Sequence, residues 1–297
     1  MEDHTTLRDD FHFDDMMEVP AQGRAGGIVL LWVTNMVTVT QFRQSTQELH
    51  AMIQVNPNHP PWLFSTIYAS TKAVNRRELW ENLENVSTSY NVPWLVVGDF
   101  NDTLRQEEKF GGRRINRSRS TRFWSCVNFC KLIDLGFKGG RYTWSNHRRN
   151  NNGLILERLD RCFANEDWLV NYLNVSITHL PKTYSEHNPL LIKTNNIFRQ
   201  PLNTITKPFR LETYWSSHPE FENIVKESWQ HREFAEATEF FTQKVTSRNR
   251  DTFGNIFYRK NKILARLNGI QHSQAYTTST FLQSLEKILT IEYNNIL

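Results

Sequence analysis

The stretch PWLVVGDFND, residues 93–102, limits the fold more than any other part of the chain. Trp94 to Val97 are apolar without a break. A strand with one wet face would alternate, so this run reads as a strand buried on both faces, of the kind found in sheets covered by helices or by a second sheet. It ends in Gly98, Asp99, Phe100 and Asn101. Asp99 and Asn101 stand two apart on an extended segment, so a carboxylate and an amide leave on the same face and can address one small ligand. Gly-Asp and Asn-Asp are also turn formers, and taken by itself the stretch reads as a turn.

From Gly27 to about Thr194, short runs (GIVLLWV, WLFSTIYA, WLVVGDF, RYTWSN, SITHL, PLLIKT) alternate with helical stretches and polar turns, the pattern of a mixed α/β fold. One helix is expected from about Lys72 to Val86, with Leu79, Trp80, Leu83 and Val86 on one face. A second is expected from about Ser120 to Leu132, with Phe123, Trp124, Val127 and Cys130 inward. After NNIFRQPLNTITKPF the periodicity is only helical: Phe221, Ile224, Val225, Ser228 and Trp229, then Ile263, Leu264, Leu267 and Ile270, then Phe281, Leu282, Leu285, Ile288 and Leu289. The expected organisation is an acidic, poorly ordered segment over residues 1–22, an α/β domain over 23–195 and a helical region over 196–297.

A chain of 297 residues accommodates one large domain and an appendage, and its net charge of +4 is too mild to specify a partner. Cys126, Cys130 and Cys162 form no CxxC pair, which fits buried thiols in a reducing compartment better than disulfides or zinc. The amino terminus lacks the apolar core of a secretory signal, and the longest apolar run, GGIVLLWV, is too short to cross a bilayer. The expectation is an intracellular protein, nuclear or cytosolic, without a membrane partner.

Two other places put polar groups at strand boundaries. In ILERLDRCFAN, alternation from Ile155 to Phe163 suggests a strand carrying Asp160 between Arg158 and Arg161, an arrangement that an exposed ion pair explains simply. In TYSEHNPLLIK, Glu186 and His187 precede Pro189 and an apolar run. Singly, each reads as solvated loop. Together, Asp, Asn and Glu make an oxygen-rich set suited to a hard cation such as magnesium, and a histidine can donate to a phosphate oxygen while a second carboxylate orients its ring. That constellation predicts metal-assisted phosphodiester hydrolysis.

GDFN, ERLDR and SEHNPLL, in that order, resemble the endonuclease/exonuclease/phosphatase family, whose members usually show GDFN, a later LD and a terminal SDH. Within it the chain is most similar to the apurinic-like endonuclease of plant LINE-type non-LTR retrotransposons. The likeness runs through GRAGGIVLLW, WLFSTIYAS, PWLVVGDFN, KFGGRR, DLGFKGGRYTWSN, ERLDRCFAN, HLPKTYSEHNPLL, HPEF and FGNIFYRKNKILARLNGIQ, most of the chain from Gly23 to Gln271.

The resemblance implies a four-layered α/β/β/α sandwich whose core strands bring Asp99, Asn101, Asp160 and His187 to one rim. It implies that Asp99 deprotonates or orients the attacking water and that Asn101 holds that water or a phosphate oxygen. His187 would stabilise charge on the phosphoryl oxygens with Asp160 as its orienting partner, Tyr68 would contact the phosphate, and Glu186 would bind a magnesium or manganese ion. The family also has two earlier strands, carrying an asparagine and a metal-binding glutamate, that residues 1–22 do not match, and aspartate where this chain has Glu186. A sandwich incomplete at its amino terminus, in a truncated and degenerate copy, is therefore expected, with a reverse transcriptase domain as the partner in a full-length element.

Seven basic residues (Arg105, Lys109, Arg113, Arg114, Arg117, Arg119 and Arg122) stand against Glu107 and Glu108 between Arg105 and Arg122, and RYTWSNHRR interleaves aromatics with arginines. Arg113, Arg114, Trp144 and Asn146 are the candidate contacts to DNA, the arginines neutralising phosphates and the indole stacking on a base. A solvated loop with Trp144 in the core is the equal alternative. Two rival functions stay open, a small-phosphoester phosphatase of the same family and a non-catalytic nucleic-acid-binding or assembly fragment.

Overall fold

The protein is described by a computed structural model covering residues 5–21, 26–55, 60–148, 153–194, 221–230 and 233–296. In chain order the elements are α1 (Thr5–Asp10), β1 (Asp15–Val19), β2 (Ile28–Trp32), β3 (Thr38–Ser45), β4 (Glu48–Gln54), β5 (Trp62–Tyr68), α2 (Ala73–Ser89) and β6 (Trp94–Asp99). There follow β7 (Lys109–Phe110), α3 (Arg117–Phe129), β8 (Ile133–Asp134), β9 (Trp144–Ser145), β10 (Leu156–Glu157), β11 (Asp160–Ala164), α4 (Glu166–Asn171), β12 (Ser176–His179) and β13 (Leu190–Lys193). The remaining helices are α5 (Phe221–Trp229), α6 (Phe234–Gln271) and α7 (Thr280–Asn294).

The main sheet has six strands in the order β3-β4-β5-β6-β11-β8. Its middle is the unit β5–α2–β6, whose two strands are parallel, while β11 runs antiparallel to β6. The uninterrupted run from Trp94 needs cover on both sides, and it has it. On one face, Leu79, Trp80, Leu83 and Val86 of α2 and Phe123, Cys126 and Val127 of α3 pack on Leu63, Ile67, Val96 and Phe163. Trp80 stacks on Phe123 with ring centroids 4.8 Å apart. On the other face, Val19 and Ile28 of the β1–β2 hairpin meet Leu49, Ala51 and Ile53, and Trp168 and Tyr172 pack on Leu95 and Ala164. The result is a mixed α/β sandwich: a helical layer, the main sheet, and a further layer that includes the β1–β2 hairpin and α4.

Several expectations are corrected. Residues 15–19, inside the segment expected to be poorly ordered, form β1, paired over its full length with β2, because Val19 and Ile28 have the core of the main sheet to cover. Helix α3 starts at Arg117 rather than near Ser120, since the Asn116 side chain accepts from the Arg119 amide and caps it there. Phe123, Val127 and Cys130 are inward as expected, joined by Cys126, whereas Trp124 is 44% exposed beneath the Arg105 guanidinium. The strand expected from Ile155 to Phe163 is two, β10 and β11, in different sheets. All three cysteines are free and buried.

The chain divides into two compact units, Met1–Asn196 with Ile270–Ser284, and Ile197–Gly269 with Leu285–Leu297. Within the second, Ile224, Phe241 and Val245 form a small core with Phe221 and Val225. Leu289 is buried, but Phe281 and Ile288, expected on its stripe, are 70% and 60% exposed because α7 turns them away from its packed side. The junction NNIFRQPLNTITKPF lies outside the described residues. No helix among the described residues is long and apolar enough to cross a membrane.

Candidate active site

Sheet register builds the centre of the site. Tyr68 at the end of β5 pairs with Asp99 at the end of β6, and Asp99 pairs with Asp160 at the start of β11. Paired residues on adjacent strands point to the same face, so a phenol and two carboxylates line up across three strands. Gly98, with φ +147, permits the β5–β6 approach: a Cβ there would lie 2.0 Å from the Ile67 carbonyl oxygen. The chain then turns through Asn101, whose φ of 47 is a left-handed conformation that asparagine tolerates better than most residues. That turn folds Asn101 back on Asp99. Its amide nitrogen donates to Asp99 Oδ1 at 2.8 Å, and its Nδ2 donates to Asp99 Oδ2 at 2.9 Å and to the Ala69 carbonyl at 2.8 Å.

His187 comes from far along the chain and is held by its backbone. Residues 186–188 pair with 143–145: Trp144 bridges His187, the Ser145 amide donates to the Glu186 carbonyl, and the Asn188 amide donates to the Thr143 carbonyl. Thr143 is fully buried and its Oγ1 accepts from the amides of both Leu159 and Asp160, so one residue fixes the strand carrying Asp160 and the loop carrying His187. His187 Nδ1 lies 2.9 Å from Asp160 Oδ2, and Nε2 lies 3.9 Å from Asp99 Oδ2. With Nδ1–H donating to Asp160, Nε2 is left toward Asp99 and the rim.

Electrostatics follow from this crowding. Burial, and then the neighbouring charge of Asp160, push the Asp99 carboxyl up to about 6, against the lowering effect of the Asn101 amide, His187 and Arg76. Burial pulls the His187 imidazolium down, but its hydrogen bond to Asp160 and the charges of Asp160, Asp99 and Glu186 outweigh this and lift it above its ordinary value. Two carboxylates directly opposite one another across a strand pair repel, so the site has a deficit of positive charge. One ligand atom each from Asp99, Asp160 and His187 lie within 4.8 Å of one another, an oxygen-rich set that fits a hard divalent cation.

Glu186 stands outside that group; it is exposed, and its Oε2 accepts from Trp144 Nε1 at 3.2 Å. Trp144 is half-buried beside the His187 loop. Asn146 is occupied in closing its own loop, donating to the Gly153 carbonyl and accepting from the amides of Arg148 and Ile155. Arg113 and Arg114 are exposed just past Gly111 and Gly112.

The exposed ion pair expected at Asp160 is absent from the described residues. Alternation sends Arg161 to the opposite face of the sheet, where it and Arg158 meet Glu108 and Asp134 in a buried four-membered network. Glu108 also accepts from the amides of Leu104 and Arg105, so the network ties the loop after Asn101 to β11. Thr143, Glu108 and Asp134 escaped the sequence reading. Thr143 stood in RYTWSN, but its importance comes from bonds to residues 16 and 17 positions away.

A second constellation superficially suggests nucleophilic catalysis. His50 Nδ1 lies 2.6 Å from Ser65 Oγ, and His50 Nε2 lies 3.5 Å from Glu48 Oε2. Ser65 Oγ also accepts from Trp94 Nε1 at 2.7 Å. All three side chains are wholly buried between the sheet and α2, where no substrate reaches. They hold the core together.

Residues 3–187 match the profile of the Endonuclease/Exonuclease/phosphatase family. No curated protein sequence matches the chain. Among solved structures, similar folds include the endonuclease domain of TRAS1, a telomere-specific non-LTR retrotransposon, at 15% identity, with 61% of this chain and 80% of that one covered and a TM-score of 0.48. Beta toxin of Staphylococcus aureus is similar at 12% identity, covering 64% and 80% with a TM-score of 0.44. The human Nocturnin catalytic domain is similar at 13%, covering 65% and 77% with a TM-score of 0.38.

Proposed function

The chain belongs to the endonuclease/exonuclease/phosphatase family, and on that premise we propose that it is a divalent-cation-dependent phosphodiesterase that cuts DNA. The observation that carries this reading is the hydrogen-bonded line Asn101–Asp99 set beside Asp160–His187 at the rim of the main sheet. The carboxylates of Asp99 and Asp160 would hold a magnesium or manganese ion, which when bound supplies positive charge to the phosphoryl oxygens.

The chain's own residues do the rest. Asp99, whose carboxyl is raised to about 6 by burial and Asp160 in the metal-free protein, uses its free lone pairs to orient the attacking water and accept its proton. Asn101, whose Nδ2 is shared between Asp99 and the Ala69 carbonyl, fixes the carboxylate on the water. His187, raised by its carboxylate neighbours, presents Nε2–H to a phosphoryl oxygen, and Asp160 keeps the ring in that orientation. Tyr68, 36% exposed and in register with Asp99, offers its hydroxyl to the same phosphate. Glu186, whose charge reaches His187, would add negative charge near a bound ion.

The basic residues of the 105–122 segment favour a polyanionic substrate over a small phosphoester. Arg113, Arg114 and Trp144 are its proposed contacts, with Asn146 shaping the loop that presents Trp144. Placement among LINE-type retroelement endonucleases, with a reverse transcriptase domain as partner, rests on the ordered segments from Gly23 to Gln271. The deciding experiment incubates the protein and its His187→Ala variant with supercoiled plasmid, or with an inositol phosphate, with and without magnesium. Nicking by the parent alone, and only with magnesium, is expected. Phosphate release without nicking would assign a phosphatase, and neither product would assign a binding fragment.

A further inference from the structure

On the helical side of the main sheet, the opening turns of α2 and α3 line a cavity of about 170 Å³. Its lining includes Arg76, Arg77, Arg119 and Arg122, with Asp102 as the one carboxylate and Trp80 as a buried apolar wall. Asp102 is shared, 2.8 Å from Arg76 Nη2 and 3.5 Å from Arg119 Nε. Arg122 is engaged by Glu84 outside the lining. Arg77 is exposed and takes part in no ion pair found among the described residues. Four guanidinium groups in the lining therefore face one carboxylate there, with Arg122 further offset by Glu84 and Glu81 from outside, so the concave place stays net positive through Arg76, Arg77 and Arg119.

Arg76 sharpens this. It is 1% exposed, bonded to the carbonyls of Ser70 and Thr71 as well as to Asp102, and its Nε has no hydrogen-bond partner among the described residues. A guanidinium so enclosed keeps a fixed position and a charge poorly screened by water. It is also near enough to feel the charge of Asp99. Asp102 follows Asn101 directly in the chain, so the cavity adjoins the proposed catalytic turn.

We propose that this cavity is a phosphate subsite separate from the candidate catalytic centre, taking one backbone phosphate of a nucleic-acid strand whose scissile phosphate lies at Asp99 and His187. This rests on the phosphodiesterase reading above. Arg77 and Arg119, the two exposed guanidinium groups, grip the phosphate oxygens; Asp102, itself fixed by Arg76, holds Arg119, and Arg76 adds its charge to the field. The subsite fixes the strand's register, and the length of substrate needed for full affinity follows from it.

The test uses the full chain and the variant Arg77→Ala/Arg119→Ala, with Arg8→Ala/Arg259→Ala as a control that removes the same charge elsewhere. Binding of a short fluorescent DNA duplex is followed in chelator across a salt series, and hydrolysis of bis(p-nitrophenyl) phosphate is followed with magnesium. The cavity variant is expected to lose about tenfold in duplex affinity and about one unit of salt slope, as for one lost phosphate contact. The control should keep both, and hydrolysis of the small diester should be unchanged in the cavity variant.

Equal losses in variant and control, or no binding by the parent, would overturn the subsite. So would inorganic phosphate binding that depends on Arg77 and Arg119 while duplex binding does not, since the cavity would then serve a free anion. If the parent binds duplex through these arginines yet cleaves neither DNA nor the small diester, the phosphodiesterase reading fails and the subsite stands.

Discussion

Asp160 and His187, 27 residues apart in the chain, are joined by a hydrogen bond of 2.9 Å from Nδ1 to Oδ2. Neither residue reaches the other by accident, since Thr143 accepts from the Asp160 amide and its own carbonyl receives the Asn188 amide.

Neutralising Asp160 should separate its charge from its hold on the ring. Asp160→Asn keeps the size of the side chain but removes the charge that lifts His187, so the imidazolium should titrate at lower pH than in the parent. DNA cleavage should fall by about 100-fold or more while the protein stays folded. Histidine resonances followed by NMR over a pH series, beside plasmid nicking, check both outcomes.

Asp99 should cost stability where it serves chemistry. Its folded-state value is raised to about 6, so its contribution to stability is fully present below its unfolded value, near 4, and is lost as pH rises through about 6. Asp99→Asn is then expected to stabilise the metal-free protein above pH 6 by roughly 1–3 kcal/mol, and to lose that advantage in acid. Magnesium should raise the melting temperature of the parent but not of the variant, and less so below about pH 6, where the carboxyl is protonated. Thermal melts in chelator and in magnesium across pH provide the measurement.

Asn101 contributes an amide and a left-handed backbone, and the two can be told apart. Asn101→Gly loses the Nδ2 bonds to Asp99 and Ala69 but keeps the turn and the backbone amide bond to Asp99, whereas Asn101→Ala also strains the turn, by about 1 kcal/mol more. Urea denaturation should rank the parent above the glycine variant and the glycine variant above alanine, with both variants poor in cleavage.

The buried network should show the opposite pH sign to Asp99. Burial alone would raise Glu108 and Asp134, but the Arg161 and Arg158 guanidinium groups overcome it and hold both carboxyls below their usual values. Their stability is present above their unfolded values, roughly 4 to 4.5, and is lost as pH falls through the lower folded ones. Arg161→Met should cost about 3 kcal/mol at neutral pH by leaving carboxylates underpaired. Urea melts at neutral and acid pH should show the gap closing as the carboxylates protonate.

The strand ends were legible because alternation and apolar runs place polar residues at rims, and Asp99, Asp160 and His187 were each marked by that rule. Strand β6 was legible because four apolar residues in a row admit few other settings. What escaped has a physical cause. Strands β7, β8, β9 and β10 are two residues each, too short to carry a period. The partners of Arg158 and Arg161 lie 24 to 53 positions away, and only the folded sheet brings them together. Trp124 was misplaced because it stands at the margin of the α3 stripe: Phe123, Val127 and Cys130 are buried as expected, and the inward face extends to Cys126 on the other side.

The pairing of Asp99 with Asp160 makes catalysis a reporter of strand alignment. Because successive side chains on a strand point to opposite faces, sliding β11 by a single position along β6 would preserve most of the ladder while delivering Arg161 to the rim and burying Asp160 among α2 and α3. A misaligned population would look native to circular dichroism and be chemically silent, so specific activity measures the fraction of molecules whose central strands closed on the correct tooth.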